Sequence, residues 1–103
     1  MEVLMSLTPA QTEASRREFK ENIKRSGLSL ADIADKLGTT SDVIAQCIDM
    51  HPHRIDDNWI IRNFLLKYMT DHGIEPLSFT ALVGDYHDYW FLNPDIVERG
   101  IID

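Results

Sequence analysis

Apolar residues recur every three or four positions along most of the chain, which is the spacing of one face of an α-helix. No segment alternates apolar and polar residues for long enough to predict a β-strand. Residues that cap helices precede the periodic segments, and glycines follow them. This pattern predicts an all-α fold, a bundle of about five helices.

The first helix is predicted over residues 8–26. Its opening segment, 8–11, reads Thr-Pro-Ala-Gln: the threonine caps the helix, the proline suits the first helical position and the glutamine completes a capping box. Gly27 supplies a left-handed stop. One face carries Arg17, Lys20 and Lys24. Because Glu13 and Glu21 lie four residues from Arg17, we expect ion pairs on a solvated face.

A helix-turn-helix is predicted from Ser29 to about Met50. Its first helix ends at Gly38, which adopts positive φ without strain, and Ala34 is small enough to lie where two helices cross steeply. Thr39 or Thr40 caps its second helix, and a proline at 52 prevents that helix from continuing. The second helix has an apolar face at helical spacing, formed by Val43, Ile44, Cys47 and Ile48.

A fourth helix is predicted to begin at Asp56 or Asp57 and to end at His72, before Gly73. Residues 78–83 predict a short helix, and the Asn-Pro-Asp segment 93–95 predicts the start of a last short helix that ends at Gly100. The fourth helix carries a wide apolar stripe formed by Ile60, Ile61, Phe64, Leu65 and Tyr68.

The segment 79–92 is rich in aromatic residues. It has two compatible interpretations: it closes the core over the fourth helix, or it presents a binding surface, since Tyr and Trp are favoured interface anchors. We expect one domain over residues 1–103, with a helix-turn-helix core at 8–72 and a covering segment at 73–103. The expected inward residues are Phe79, Leu82, Trp90 and Phe91, and the expected partner-binding residues are Tyr86, Tyr89 and Trp90.

The composition is that of an ordinary globular protein, with 44% hydrophobic and 26% charged residues in a length that suits one domain. The lone cysteine, Cys47, excludes an intrachain disulfide and a cysteine-based zinc site. We expect this thiol to be buried and unreactive. The sequence has no basic leader followed by a long apolar run, which predicts a cytoplasmic protein that does not enter a membrane.

The net charge of −7 is unevenly distributed. Up to Lys36 six basic residues balance six acidic ones, whereas the remainder holds eleven acidic residues and four basic ones. Such a surface repels polyanions, and a dedicated nucleic-acid binder more often has the opposite sign.

The segment 30–41, Leu-Ala-Asp-Ile-Ala-Asp-Lys-Leu-Gly-Thr-Thr-Ser, resembles the helix-turn-helix of phage-repressor-like DNA-binding domains. The resemblance extends over about residues 8–72 and implies that the third helix enters a DNA major groove. Lys36 and Arg54 flank that helix and would contact phosphates, but the helix itself contains no Lys or Arg. The implied base readers are Thr40, Ser41, Asp42, Ala45 and Gln46.

A second resemblance covers the whole chain and is carried by two segments, 57–63 (Asp-Asn-Trp-Ile-Ile-Arg-Asn) and 79–92. They resemble a family of small bacterial proteins, domain of unknown function 2316. This resemblance implies a bacterial cytosolic domain and no particular activity.

Enzyme and metal chemistry find little support. The sequence has no phosphate-binding glycine loop, no nucleophile elbow and no carboxylate pair with an acid–base partner, so we expect neither catalysis nor a cofactor. His51, His53 and His87, with Asp85 and Asp88, invite a metal hypothesis, but histidines in loops and turns are usually plain polar residues.

Two hypotheses for function follow. The first is a DNA-binding transcriptional regulator that acts as a homodimer, because paired half-sites need two recognition helices. The second is a protein-interaction module that keeps the helix-turn-helix only as a scaffold. The motif favours the first hypothesis, and the acidic third helix favours the second. Neither hypothesis specifies a small-molecule ligand.

Overall fold

A computed structural model of the chain describes residues 8–51, 55–82, 94–100 and 102. Within these residues the fold is all-helical, as the apolar spacing predicts, and none of the helices described is long and apolar enough to cross a membrane. The five helices of the described part are α1 (Pro9–Ser26), α2 (Leu30–Leu37), α3 (Ser41–Ile48), α4 (Ile55–Asp71) and α5 (Pro94–Arg99).

The starts of α1 and α2 are fixed by reciprocal capping boxes. Thr8 and Gln11 exchange backbone-to-side-chain hydrogen bonds of 2.9 and 3.0 Å, and Ser29 and Asp32 exchange two of 3.0 Å. Each box satisfies two amides that a helix start leaves without partners. Gly27 ends α1 in the left-handed conformation, with φ of 76°. These local predictions are confirmed.

One hydrophobic core joins all five helices. Phe19 of α1, Ile33 of α2, Ile44 of α3 and Ile61 of α4 are fully buried. The backbone amide of Ile102 donates to the Leu37 carbonyl over 2.8 Å, which ties the residues after α5 to the end of α2. Other buried apolar members are Ala34, Leu37, Cys47, Ile48, Met50, Trp59, Ile60, Leu65, Phe79, Leu82 and Val97.

The third helix ends two residues earlier than the predicted limit of about Met50. The Met50 amide donates to the Cys47 carbonyl (3.0 Å), and the His51 amide donates to the Gln46 carbonyl (2.8 Å). This paired arrangement is a Schellman end, in which the left-handed position is usually occupied by glycine. Here Met50 occupies it with φ of 66°, and its side chain is buried. Burial of the methionine side chain offsets the cost of that backbone conformation.

The fourth helix begins at Ile55, so the prediction of a start at Asp56 or Asp57 is wrong. Both aspartates lie inside the first turn and are largely buried. The fully buried Asn58 follows them, and its amide donates to the Cys47 carbonyl over 3.1 Å. This hydrogen bond links the first turn of α4 to the end of α3.

Residues 78–82 do not form the predicted short helix. The Asn22 side chain donates to the Leu77 carbonyl (2.9 Å) and accepts from the Leu77 amide (2.7 Å). The Glu18 carboxylate accepts from both the amide (3.1 Å) and the hydroxyl (2.7 Å) of Thr80. Side chains of α1 therefore hold the backbone at residues 77 and 80 in this non-helical conformation.

The same segment covers the core, as predicted for Phe79 and Leu82. Both side chains are buried, and the Phe79 ring meets the Phe19 ring of α1 edge-on at a centroid distance of 5.0 Å. The Arg62 guanidinium of α4 donates to the Leu82 carbonyl over 2.7 Å. The other residues that we predicted in this role, Trp90 and Phe91, and the predicted partner-binding residues Tyr86, Tyr89 and Trp90 lie outside the described residues.

Candidate nucleic-acid interface

Helices α2 and α3 form one compact pair, here called the α2–α3 unit (residues 29–50). A short turn joins them, in which Gly38 has φ of 75° and the Thr39 amide donates to the Ala34 carbonyl over 2.9 Å. Ala34 is only 3% exposed. A larger side chain at that position would meet the packed interior of the unit. Gly38 thus has the left-handed conformation that the sequence predicts, and Ala34 is buried.

The outward face of α3 carries the predicted base readers. Ile44, Cys47 and Ile48 are buried on the opposite face and hold α3 against the core. The structure brings the five predicted readers together: Thr40, Ser41, Asp42 and Gln46 are exposed, and Ala45 is half-buried.

Thr40 is the residue that caps α3. Its hydroxyl oxygen accepts from the Val43 amide over 3.3 Å, so one of its lone pairs is committed to the helix. A hydroxyl still has a proton to donate. Thr40 can therefore donate a hydrogen bond outward while it caps the helix.

The charges around this face are mostly negative. Lys36 is exposed in the last turn of α2, whereas Arg54, the other predicted phosphate contact, lies outside the described residues. The Asp32 carboxylate accepts from the Ser29 amide, and hydrogen bonds from the backbone and hydroxyl of Ser29 lower the pKa of Asp32. Asp32 therefore occupies the start of α2, where helix amides would otherwise attract an anion.

Helix α1 supplies cations next to the end of α3. Lys20 Nζ lies 3.6 Å from Asp49 Oδ1, and an Arg16 Nη donates to the Asp49 carbonyl over 3.1 Å. About thirty residues of sequence separate the partners, and no local pattern in the sequence signals such a contact. Sequence reasoning missed these contacts for that reason.

The ion pairs on α1 differ from those predicted. Glu13 pairs with Arg16, and Glu21 pairs with Arg25 over 2.9 Å, so neither glutamate pairs with Arg17. Arg17 and Lys24 are exposed and have no ion-pair partner within residues 8–51, 55–82, 94–100 and 102. Two solvated positive charges therefore remain on α1.

Cys47 has the buried position predicted for it. Burial, with a smaller contribution from the negative charge of Asp57, raises the pKa of Cys47 to about 12. The thiol therefore stays protonated at neutral pH, and a protonated thiol is a poor nucleophile and metal ligand. Of the residues weighed for a metal site, only His51 lies in the described part of the chain, and that part holds no group of three potential metal ligands.

No curated protein and no solved structure matches this chain. A family model described as an uncharacterized protein conserved in bacteria (DUF2316) matches residues 5–93, a span that includes α1, α2, α3 and α4. The match extends over most of the sequence, and the chain therefore belongs to this bacterial family.

Proposed function

We propose that the α2–α3 unit is a helix-turn-helix of the phage-repressor type and that the protein binds duplex DNA through α3. The observation that carries this proposal is the polar outward face of α3, with Thr40, Ser41, Asp42 and Gln46 exposed over a buried apolar face. An α-helix with its side chains is about 10–12 Å wide, which suits a major groove of about 12 Å.

The exposed residues have distinct roles in this proposal. Gln46 forms a bidentate pair with adenine, the Ala45 methyl group contacts a thymine methyl, and Asp42 accepts from a cytosine amino group. Thr40 and Ser41 lie at the start of α3, where their hydroxyls reach a phosphate or a base edge.

Electrostatics make this DNA binding depend on base contacts. With Lys36 and Arg54 as the flanking cations, two phosphate contacts correspond to a slope of about −2 in a plot of log affinity against log salt concentration. Affinity for random sequence is therefore expected to be weak. A regulator of this type acts as a homodimer whose two recognition helices read half-sites about 34–36 Å apart.

The test is selection from random duplex DNA at two salt concentrations, followed by binding measurements on the selected site. Gln46→Ala is expected to relax base preference more than it lowers affinity, because it removes a base contact and no charge. Thr70→Ala, an exposed change on α4, is the matched control. Selection that enriches no sequence, or enrichment that is unchanged by Gln46→Ala, contradicts the proposal.

A second candidate function, a protein-interaction module built on the same scaffold, is favoured by one specific observation. The α2–α3 unit has four exposed carboxylates but only one exposed ammonium group, that of Lys36. Negative charges repel a phosphate backbone but attract a basic protein surface. This candidate is supported instead if the DNA selection fails and the protein captures a basic partner whose binding is weakened by Asp42→Asn. The four carboxylates belong to Asp32, Asp35, Asp42 and Asp49.

A further inference from the structure

An apolar groove lies where α1, the start of α2 and the end of α3 meet. It is open to solvent and has a volume of about 270 Å³. Its apolar lining consists of Ile23, Leu30, Ala45 and Ile48, of which the first three are half-buried. Lys20 and Asp49 form its polar edge. This groove is separate from the outward face of α3, except that Ala45 borders both.

Beside the groove, the outer face of α1 carries a row of charged side chains, namely Glu13, Arg16, Arg17, Lys20, Glu21 and Lys24. Lys20 belongs to both, so the groove and this face adjoin. The combined surface, here called the α1 strip, extends along α1 from Glu13 to Lys24, a length of about 17 Å at 1.5 Å per residue. An extended ligand fits such a length better than a small molecule does.

The α1 strip is positively charged in a protein whose net charge is −7. Arg16 and Arg25 neutralise its two glutamates, and Asp49 lies 3.6 Å from Lys20. Arg17 and Lys24 add two solvated charges that have no such partner among the described residues. Salt screens charges beyond about 8–10 Å, so an approaching ligand senses this local surplus more than the acidic remainder of the protein.

We propose that the α1 strip binds an acidic amphipathic helix of a partner protein. Apolar side chains of that helix enter the groove over Ile23 and Leu30, and its carboxylates face Arg17 and Lys24. Helix-in-groove recognition uses anchors at the helical spacing, and three turns of helix match the length of the α1 strip. This occupant also explains the apolar lining, for which a nucleic-acid backbone has no complementary group.

The proposal stands independently of DNA binding and is tested with the full chain. The probe is a fluorescein-labelled synthetic helix of about fifteen residues, with leucines at helical spacing and glutamates on its other faces. Fluorescence anisotropy measures its binding beside two control peptides. One control has the same composition in an order without an apolar face, and the other carries lysine in place of each glutamate. Wild-type protein is expected to bind the acidic amphipathic peptide in clear preference to both.

Charge reversals locate the binding surface. Arg17→Glu and Lys24→Glu are each expected to weaken peptide binding about three- to fivefold, the effect of one exposed ion pair. Lys67→Glu changes the net charge equally on exposed α4 and is expected to change affinity less than about twofold. Ala45→Leu fills the groove and is expected to weaken binding more than either reversal does. Circular dichroism of each variant confirms that the fold is retained.

Several results would overturn the proposal. Equal binding of the two glutamate peptides reduces the strip to a nonspecific positive patch. Equal effects of Arg17→Glu and Lys67→Glu place the peptide elsewhere. Sedimentation that shows a wild-type dimer dissociated by Ala45→Leu assigns the groove to a second copy of this chain. If duplex DNA displaces the peptide, and if Arg17→Glu weakens the binding of that DNA, the strip binds phosphates instead.

Discussion

The α2–α3 unit and the segment 74–82 are held in place by different means. In the unit, the helix starts are fixed by residues three positions apart, such as Ser29 and Asp32. In the segment, backbone groups bond to side chains more than fifty residues away in α1, as Leu77 does with Asn22. Local capping can be read from a short stretch of sequence, whereas the hydrogen bonds that hold the segment form only after α1 and α4 have packed. We therefore expect substitutions in α1 or α4 to release the segment 74–82 from the core, and to affect the α2–α3 unit less.

The largest expected effect is that of Phe79→Ala. It removes the ring that packs edge-on against Phe19 inside the core. Truncation of a buried phenylalanine costs about 3–5 kcal/mol of unfolding free energy. Denaturant unfolding measures this cost, and Thr80→Ala beside it, an exposed residue, separates the apolar contribution from the polar one. An unchanged midpoint for Phe79→Ala would mean that the segment is not part of the stable core.

Asn22→Ala is expected to have the next largest effect. It leaves the Leu77 amide and carbonyl without their present partner, and an unsatisfied group costs about 1–3 kcal/mol when it stays buried. In this variant, the rate of amide hydrogen exchange should increase more at residues 77–82 than in α3. If α3 and the segment lose protection equally, the contrast between the two regions is wrong.

Ser29→Ala tests the local side of the comparison. Loss of an N-cap costs about 1 kcal/mol, because the hydroxyl no longer accepts from the Asp32 amide. Glycine at the same position is expected to cost only a few tenths of a kcal/mol, since it is itself tolerated at an N-cap. Thermal unfolding of both variants measures the difference. Negligible losses for both variants would show that the cap contributes little.

The smallest expected effect is a dependence on pH from Asp32. Hydrogen bonds from Ser29 lower the pKa of Asp32 below its ordinary value of 3.8, so the folded state favours the ionised carboxylate. Its contribution to stability is therefore fully present above that value and is lost as pH falls through the folded pKa. The stability difference between wild type and Asp32→Asn should shrink as the solution is acidified below about pH 4. If this stability difference grew on acidification, the direction assigned to the pKa shift of Asp32 would be wrong.

Prediction from sequence succeeded where the cause was local. The caps of α1 and α2, the left-handed glycines and the buried face of α3 follow from residues within one or two turns. It did not identify the residue that ends α3, because a buried methionine took the left-handed position that usually belongs to glycine. It also failed at the start of α4, where two aspartates lie within the first turn and are largely buried.

The candidate sites divide in the same way. Helical periodicity alone places Ser41, Asp42 and Gln46 together on the outward face of α3, because three or four residues make one turn. The α1 strip has no such signature. Its groove depends on how α1 packs against α2 and α3, and the choice of ion-pair partner by each glutamate decides which cations of α1 stay unpaired.

The sequence by itself determined that the chain is helical, where most helices begin and end, and which face of each is apolar, since these follow from short-range sterics and hydrogen bonding. Only the tertiary structure decided that residues 78–82 remain non-helical, that Met50 turns inward, and that Lys20 meets Asp49. Each of these outcomes depends on contacts between distant segments, which form when burial of apolar surface outweighs the local preference of the backbone.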